Sequence, residues 1–268
     1  MKLVVLLSGL AASGALMAQT QPAAPEPDYT LSANIGVVSD YRYRGISQTR
    51  LKPALQGGAD FAHKSGFYIG TWLSTIKWIE DTGDIAPQTN VDGPVEWDIY
   101  GGYKFNAGPV GLDIGLLQYW YPGNSLADAG GGGLYKNANT LEAYIAGTWG
   151  PATLKYSHSL TNLFGNYNFT SNENTKGSGY LDLSATFELP VWGLTLAPHV
   201  GHQRVHNLDV ASYTDWSLTL GKDFGNGISA SLAYVDTDAD KGFYASPTNG
   251  KFMGKAGAVV GVKYTHNF

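Results

Sequence analysis

The chain has 268 residues with a formal net charge of −5, 15 % charged residues, 35 glycines and no cysteine, where soluble domains carry roughly 25 % charge and about 7 % glycine. Aromatic residues at 13 %, including 17 Tyr and 7 Trp, argue against disorder, because so much ring surface favours burial. Beyond residue 18 no stretch approaches the roughly 20 apolar residues of a spanning helix, and the acidic balance offers no footprint for nucleic acid. Many short strands remain, as a sandwich, a repeat protein or a membrane barrel.

At the N-terminus Lys2 precedes Leu3-Val4-Val5-Leu6-Leu7 and then small residues through Ala15 and Ala18. This is the layout of a secretory signal peptide, expected over 1–18. No cysteine follows it to carry a lipid anchor. Losing Lys2 makes the mature chain one unit more acidic, and the lack of thiols suits an oxidising compartment. Residues 19–29 hold three prolines and few bulky side chains, which predicts a short periplasmic tether before a barrel domain at 30–268.

The rest of the chain repeats one event, about ten residues of alternating character and then a connection. In the first segment Leu31, Ala33, Ile35, Val37, Tyr41 and Tyr43 take one face, and Ser32, Asn34, Asp40, Arg42 and Arg44 take the other. In Glu96–Phe105, Trp97, Ile99, Tyr103 and Phe105 oppose Glu96, Asp98, Tyr100 and Lys104; in Val110–Trp120, Val110, Leu112, Ile114 and Leu116 oppose Gly111, Asp113 and Gly115. Twelve segments are expected, near 30–44, 53–63, 66–78, 95–106, 109–121, 140–149, 152–161, 179–189, 193–204, 213–224, 228–236 and 256–268. Alternation is weakest in 66–78, where Phe67, Ile69, Trp72 and Ile76 fall on both faces.

Connections after the even strands are tight, such as His63-Lys64-Ser65-Gly66 and Gly225-Asn226-Gly227. Those after the odd strands are longer and polar, including 79–94, 122–139, 162–178 and 237–255. A secreted sandwich has no reason to keep its long loops at one end. Short periplasmic turns, long outer loops and an even strand number define an outer-membrane barrel. The expected fold is therefore all-β, a transmembrane antiparallel up-and-down β-barrel of about 12 strands.

Aromatic residues cluster at both strand ends, as interfacial belts require. Phe61, Phe67, Phe105, Trp149, Trp192, Phe224 and Phe268 lie by the short turns; Tyr41, Tyr43, Trp97, Trp120 and Tyr121 lie by the long loops. The last strand alternates through Val260, Val262, Tyr264, His266 and Phe268, a terminal pattern similar to the signal read by barrel-insertion machinery. Lipid, lipopolysaccharide, periplasmic chaperones and that machinery are the expected partners, in the outer membrane of a Gram-negative cell.

Several runs resemble a proteobacterial family of uncharacterised outer-membrane proteins, the TorF-type porins. They are Ser32–Thr49 (SANIGVVSDYRYRGISQT), Pro53–Gly58, Ser65–Trp72, Glu96–Tyr103 and Tyr119–Gly123. The likeness is close over residues 32–150 and only one of general pattern beyond. It implies an outer-membrane barrel with pore activity, and brings neither a substrate nor a catalytic residue.

Alternation turns Asp40, Asp60, Glu96, Asp98, Asp113, Glu142, Asp182, Glu188, Asp215 and Asp223 inward, with Arg42, Arg44, Lys104, Lys155 and Lys263. These charges either line a pore, with a mild cation preference, or pair into a plug. The pore is the reading adopted: passive diffusion of small polar solutes or ions through a narrow lumen. The runner-up is a closed barrel with a surface or adhesive role; an outer-membrane hydrolase comes third. Asp40, Arg42, Arg44 and Gln48 read more readily as an anchor for the first loop than as a selectivity patch, because Arg forks fix carboxylate partners.

Other motifs are weaker. His199 and His202 fall on opposite faces of one strand, so a metal shared with His206 would need a bend. Asp236, Asp238, Asp240 and Gly242 imitate a calcium loop, but the glycine is one place late and Pro247 stands where a bidentate Glu is needed. A solvated loop holding divalent ions weakly is the simpler account. Gly130–Gly133 lacks the Lys-Ser/Thr of a phosphate loop. His158 lies between Ser157 and Ser159 but on the opposite face, and Asp209, Asp215 and His206 form no recognisable hydrolase set. No cofactor is expected.

Overall fold

The structure, a computed structural model, describes residues 27–83, 91–131 and 135–268. The signal segment 1–18, most of the tether and part of the Gly130–Gly133 run lie outside the described residues.

Twelve strands close into a barrel: β1 Tyr29–Val38, β2 Ala54–His63, β3 Phe67–Thr75, β4 Val95–Ala107, β5 Val110–Trp120, β6 Thr140–Trp149, β7 Ala152–Ser159, β8 Gly179–Ala185 with a continuation at Phe187–Glu188, β9 Leu194–Arg204, β10 Tyr213–Gly225, β11 Ile228–Thr237 and β12 Gly257–Asn267. Each strand pairs antiparallel with its sequence neighbours, and β1 pairs with β12, as in Ile35 opposite Tyr264. Closure leaves no open edge, the condition for a sheet in lipid. The backbone N–H of Phe268 donates to the Leu31 carbonyl at 3.0 Å, which seals the seam at the C-terminus. A ten-residue strand is about 33 Å long; tilted by about 45° it spans roughly 23 Å, the height of an apolar band.

The faces follow the period of two. Ile35, Leu55, Ile69, Ile114, Leu116, Ile145, Leu154, Leu181, Leu218, Leu232 and Val260 are exposed on the outer wall. Soluble monomers rarely expose apolar patches beyond a few hundred Å², so this continuous apolar wall matches lipid. At the short-turn end Phe67, Trp149, Trp192, Phe224 and Phe268 stand outward. At the other end the belt comprises Trp97 and Trp120, 5.1 Å apart, and Trp216 and Tyr234, 5.5 Å apart.

Two sequence-based expectations change here. Strand β1 ends at Val38 instead of running on to Arg44: Ser39 donates to the Val260 carbonyl at 2.8 Å and the chain then turns into the barrel. Tyr41 and Tyr43 consequently leave the aromatic belt, and Tyr121, just past the end of β5, also turns inward; Tyr41 and Tyr121 are buried. The mixed pattern of β3 has the same cause. Trp72 packs edge-on to Tyr41 at 5.2 Å, and Ile76 joins Tyr41, Tyr119 and Tyr121 in a hydrophobic cluster. An apolar core inside the barrel is needed once a segment of chain fills it.

The inserted segment, residues 39–53, carries a small hairpin in which Arg42 pairs with Ser47 and Tyr43 with Ile46. Arg44 (φ 45°) and Gly45 (φ 79°) form its turn, the left-handed pair of a two-residue hairpin. An arginine there is strained, and such strain persists only where surrounding contacts over-determine it. A Cβ on Gly45 would stand 2.4 Å from Thr237 Cγ2 and 2.8 Å from Asp215 Cβ, so the tip seats against β10 and β11 only as glycine.

Candidate functional site: the septum and chamber of the lumen

The segment holds itself together before it touches the wall. Asp40 accepts from Arg42 Nε at 2.5 Å and from Ser47 Oγ at 2.5 Å, and Arg42 Nη1 donates to the carbonyls of Gly45 and Met253 at 2.9 and 3.1 Å. Ser47 N–H also reaches the Met253 carbonyl at 2.9 Å. Asp40 and Arg42 thus brace the inserted segment, and Arg42 ties it to Met253 before β12.

Arg44 reaches across the lumen. Its Nη2 donates to both oxygens of Glu142 on β6 at 2.8 and 3.0 Å, and its Nη1 donates to Gln203 Oε1 on β9 at 2.5 Å. The guanidinium lies 4.2 Å from the Tyr180 ring and 4.8 Å from that of Tyr43. Tyr43 Oη meets Tyr119 Oη at 2.7 Å, and Tyr119 Oη donates to Glu142 at 3.3 Å. Tyr43, Arg44, Tyr119, Glu142, Tyr180 and Gln203 form a septum across the outer half of the barrel. Beside it Glu96 accepts from Tyr41 at 2.6 Å and from Tyr121 at 2.9 Å. Burial, together with the Glu96 carboxylate, pushes both phenols well above their usual pKa, so they remain donors. Asp98 is buried on the same face of β4, its Oδ1 without a hydrogen-bond partner among the described residues.

Beneath the septum lies a chamber of about 450 Å³ lined by Arg44, Lys155, Tyr180, Asp182, His199 and Asp215 among others. His199 bridges two acids, with Nε2 2.5 Å from Asp182 Oδ2 and Nδ1 3.6 Å from Asp215 Oδ2. Asp215 also accepts from Tyr180 at 2.8 Å. Further down, Tyr68 donates to Asp113 at 2.6 Å and Tyr100 to Asp60 at 2.5 Å. The cations rest on tyrosine faces, Lys155 Nζ 4.2 Å from the Tyr144 ring and Lys104 Nζ 4.7 Å from the Tyr68 ring.

Asp60, Lys104, Asp113, Lys155 and Asp182 therefore line the lumen half-exposed, while Glu96, Asp98, Glu142 and Asp215 are buried in its outer half. Glu188 shares the inward register, opposite Thr195, but stands exposed beyond the break in β8 at the short-turn rim, outside the chamber.

Tyrosine is the functional residue type that composition alone misplaces. Its abundance suggests belts, and that of glycine suggests curvature. In the lumen the two belong together: a Cβ on Gly70 would meet the Tyr100 ring at 2.4 Å, one on Gly115 the Tyr144 hydroxyl at 2.5 Å, and one on Gly201 the Tyr180 hydroxyl at 2.0 Å. Each glycine leaves a groove in which a neighbouring tyrosine lies along the wall. The legible signal is tyrosine on the inward parity, as at Tyr100, beside glycine on the adjacent strand.

The lesser motifs resolve differently. His202 faces outward, 3.1 Å from Thr214 Oγ1, away from His199. Asp238 accepts from Thr214 N–H, Asp236 from Thr237 N–H and Asp240 from Gly242 N–H, so the three acids cap separate backbone amides. Ser157 and Ser159 are buried toward the lumen and His158 is not with them; its Nδ1 lies 3.3 Å from Tyr156 Oη.

A family model described as "Bacterial protein of unknown function (Gcw_chp)" matches residues 22–266. No curated protein matches the chain. Among solved structures it is similar to the KdgM porin in complex with disordered oligogalacturonate, with TM-score 0.50 and 7 % identity over 88 % of this chain and 98 % of that one. It is similar also to the NanC porin, with TM-score 0.50 and 10 % identity over the same shares. At these identities the likeness concerns the fold alone, a closed antiparallel β-barrel.

Proposed function

The chain belongs to this bacterial family of unknown function, and we propose that it works as an outer-membrane channel through which small polar solutes and ions diffuse passively. The observation that carries the reading is a closed barrel that keeps a charged chamber of about 450 Å³ under a septum made by one inserted hairpin. A structural plug has no need of such a chamber. Twelve strands enclose less space than a sixteen-stranded porin, and the hairpin narrows it further, so the solutes are small. The TorF-type resemblance of residues 32–150 supports the same class, and includes the septum hairpin.

The charges suggest a mild preference for cations. Arg42 and Arg44 are neutralised by Asp40 and Glu142. Asp60 and Asp113 are held by phenols, which donate a hydrogen bond without carrying charge, so their negative potential persists in the lumen. Lys104 and Lys155 offset only part of it. Export by the signal segment, chaperone escort, insertion and contact with lipopolysaccharide belong to the same reading.

Planar-bilayer recording tests it. Reproducible conductance steps with a cation-selective reversal potential across a salt gradient are expected; silence from folded, heat-modifiable protein would overturn it. One observation favours a closed barrel whose loops act at the surface: the bidentate Arg44–Glu142 pair and the surrounding rings pack tightly across the outer half of the lumen. The same recording separates the two.

A further inference from the structure

The registers of β7 to β10 set one row of residues along the chamber wall: Lys155 stands opposite Asp182, Asp182 opposite Gly201, and Gly201 opposite Asp215. Gly201 contributes no side chain, so the two acids flank a gap. His199, two residues along β9 and on the same face, turns its ring between them. Its Nε2 lies 2.5 Å from Asp182 Oδ2 and 3.1 Å from Tyr180 Oη, and its Nδ1 lies 3.6 Å from Asp215 Oδ2. Arg42, Tyr43 and Arg44 face the same space from the hairpin, Tyr119 from β5 and Lys155 from β7. Both guanidiniums are already paired, with Asp40 and Glu142. Among the described residues, Lys155 is the chamber cation that has no acid at ion-pair distance; its ammonium rests on the Tyr144 ring at 4.2 Å.

This arrangement suits the imidazolium and not the neutral ring. Imidazolium donates from both nitrogens, whereas neutral imidazole keeps one N–H and presents a bare lone pair on the other nitrogen. Here both nitrogens face carboxylates, so loss of the proton sets a lone pair against an acid. The side chains of His199 and Asp182 are 22 % and 20 % exposed to the chamber, so water reaches the pair. Asp182 also has a second cation within reach. Residues directly opposed on antiparallel strands carry Cβ atoms about 4.5–5.5 Å apart, and Lys155 is the residue opposed to Asp182 on β7. Histidine is the side chain whose charge ordinarily changes between about pH 5 and 8.

We infer that His199 is a proton-operated switch in the lumen, passing Asp182 between the imidazolium and Lys155. With the proton on, Asp182 and Asp215 hold the ring, and Lys155 stands free toward the chamber. Two carboxylates then balance one imidazolium and one ammonium. With the proton off, Asp182 turns to the Lys155 ammonium, while Asp215 keeps the hydrogen bond from Tyr180. The same four groups now carry one negative charge in excess. The chamber therefore grows more negative as pH rises, and the cation preference of the lumen strengthens with it. The handover belongs to the barrel itself; its effect on current rests on the channel reading.

The test is an NMR titration of the refolded full barrel in detergent micelles, with isotope-labelled histidine and lysine side chains, across the range of histidine and about one unit beyond it. Lys155→Met assigns the lysine resonance; His199→Gln or His199→Asn, whichever keeps heat-modifiable mobility, assigns the histidine. The two resonances are expected to move with a common midpoint. Asp182→Asn removes the carboxylate they share, and should leave the lysine still while the histidine titrates. A His199 that keeps its charge throughout, a Lys155 that does not follow it, or an unaltered lysine response in Asp182→Asn would overturn the inference. In bilayers the cation-to-anion permeability ratio should rise about twofold over the same range, and the His199 variant should lose most of that rise. A constant ratio in a conducting wild-type barrel would overturn the inference as well. A silent bilayer would count against the channel alone, because the resonances follow the handover without a current.

Discussion

Arg44 and Glu142, 98 residues apart in the chain, form a two-pronged ion pair across the lumen at 2.8 and 3.0 Å, with 7 % and 2 % of their side chains exposed. The pair joins the tip of an inserted hairpin to the wall of β6. Buried charges of this kind cost much when one partner is lost, because the other cannot return to water. Glu142→Ala should therefore lower stability in urea titrations by about 3–5 kcal/mol, whereas the double replacement Arg44→Met with Glu142→Leu should be close to neutral. In bilayer recordings Arg44→Ala is expected to raise conductance severalfold, since the guanidinium is the central bar of the septum.

Gly45 provides a way to unseat the hairpin without touching a charge. Its φ of 79° and the 2.4 Å approach to Thr237 leave no room for a side chain. Gly45→Val should push the tip off β10 and β11 and raise conductance as Arg44→Ala does. Gly108→Ala is the control, at φ 60° with nothing within 4 Å. It should cost only about 1–2 kcal/mol of backbone strain and leave conductance unchanged.

The tyrosine–acid pairs predict a different signature. Tyr180→Phe removes the donor at 2.8 Å from Asp215, a buried acid, and should cost about 1–3 kcal/mol in the same titration. Gly201→Ala acts on the same pair from below, because its Cβ would meet the Tyr180 hydroxyl at 2.0 Å. It should displace the ring into the lumen and reduce conductance.

Selectivity is expected to follow the half-exposed acids. Asp60→Asn combined with Asp113→Asn should move the reversal potential toward zero, and Lys104→Met should move it the opposite way. A shift in neither variant would mean that the current bypasses this wall.

The outer wall provides a check on the solvent each face meets. Ile114 is outward at mid-strand and 44 % exposed, so Ile114→Arg should cost about 2–4 kcal/mol on refolding into lipid bilayers. Thr219→Arg, inward on β10 and half-exposed, should be tolerated.

Val110–Trp120 shows how much of the fold a local pattern can carry. Its alternation places Leu112, Ile114 and Leu116 on one face and Asp113 on the other, and the pairing of β5 with β4 and β6 keeps those faces. The inward set is legible for the same reason, down to Asp60, Asp113, Lys155 and Asp182. Leu31–Arg44 shows where the pattern fails. Residues 39–44 continue the same polar and apolar alternation in sequence, yet they leave the sheet, because Tyr41 and Tyr43 find better burial against Trp72 and Tyr119 inside the barrel. Nothing within a window of ten residues records those partners.

The amino-acid sequence by itself determined the twelve strands, their faces, and the end at which the long loops gather, since each depends on the period of two and on turn residues close in the chain. The low charge content followed from that, because a wall facing lipid excludes charge. The tertiary structure alone decided what fills the barrel. The septum joins Arg44 to Glu142 and Gln203 over 98 and 159 residues, and Tyr180 lies over Gly201 only because β8 and β9 share a register. Contacts of that range form only after closure brings distant strands around one lumen. The abundance of glycine and tyrosine thus became a lining of grooves and hydroxyls only once the barrel had closed.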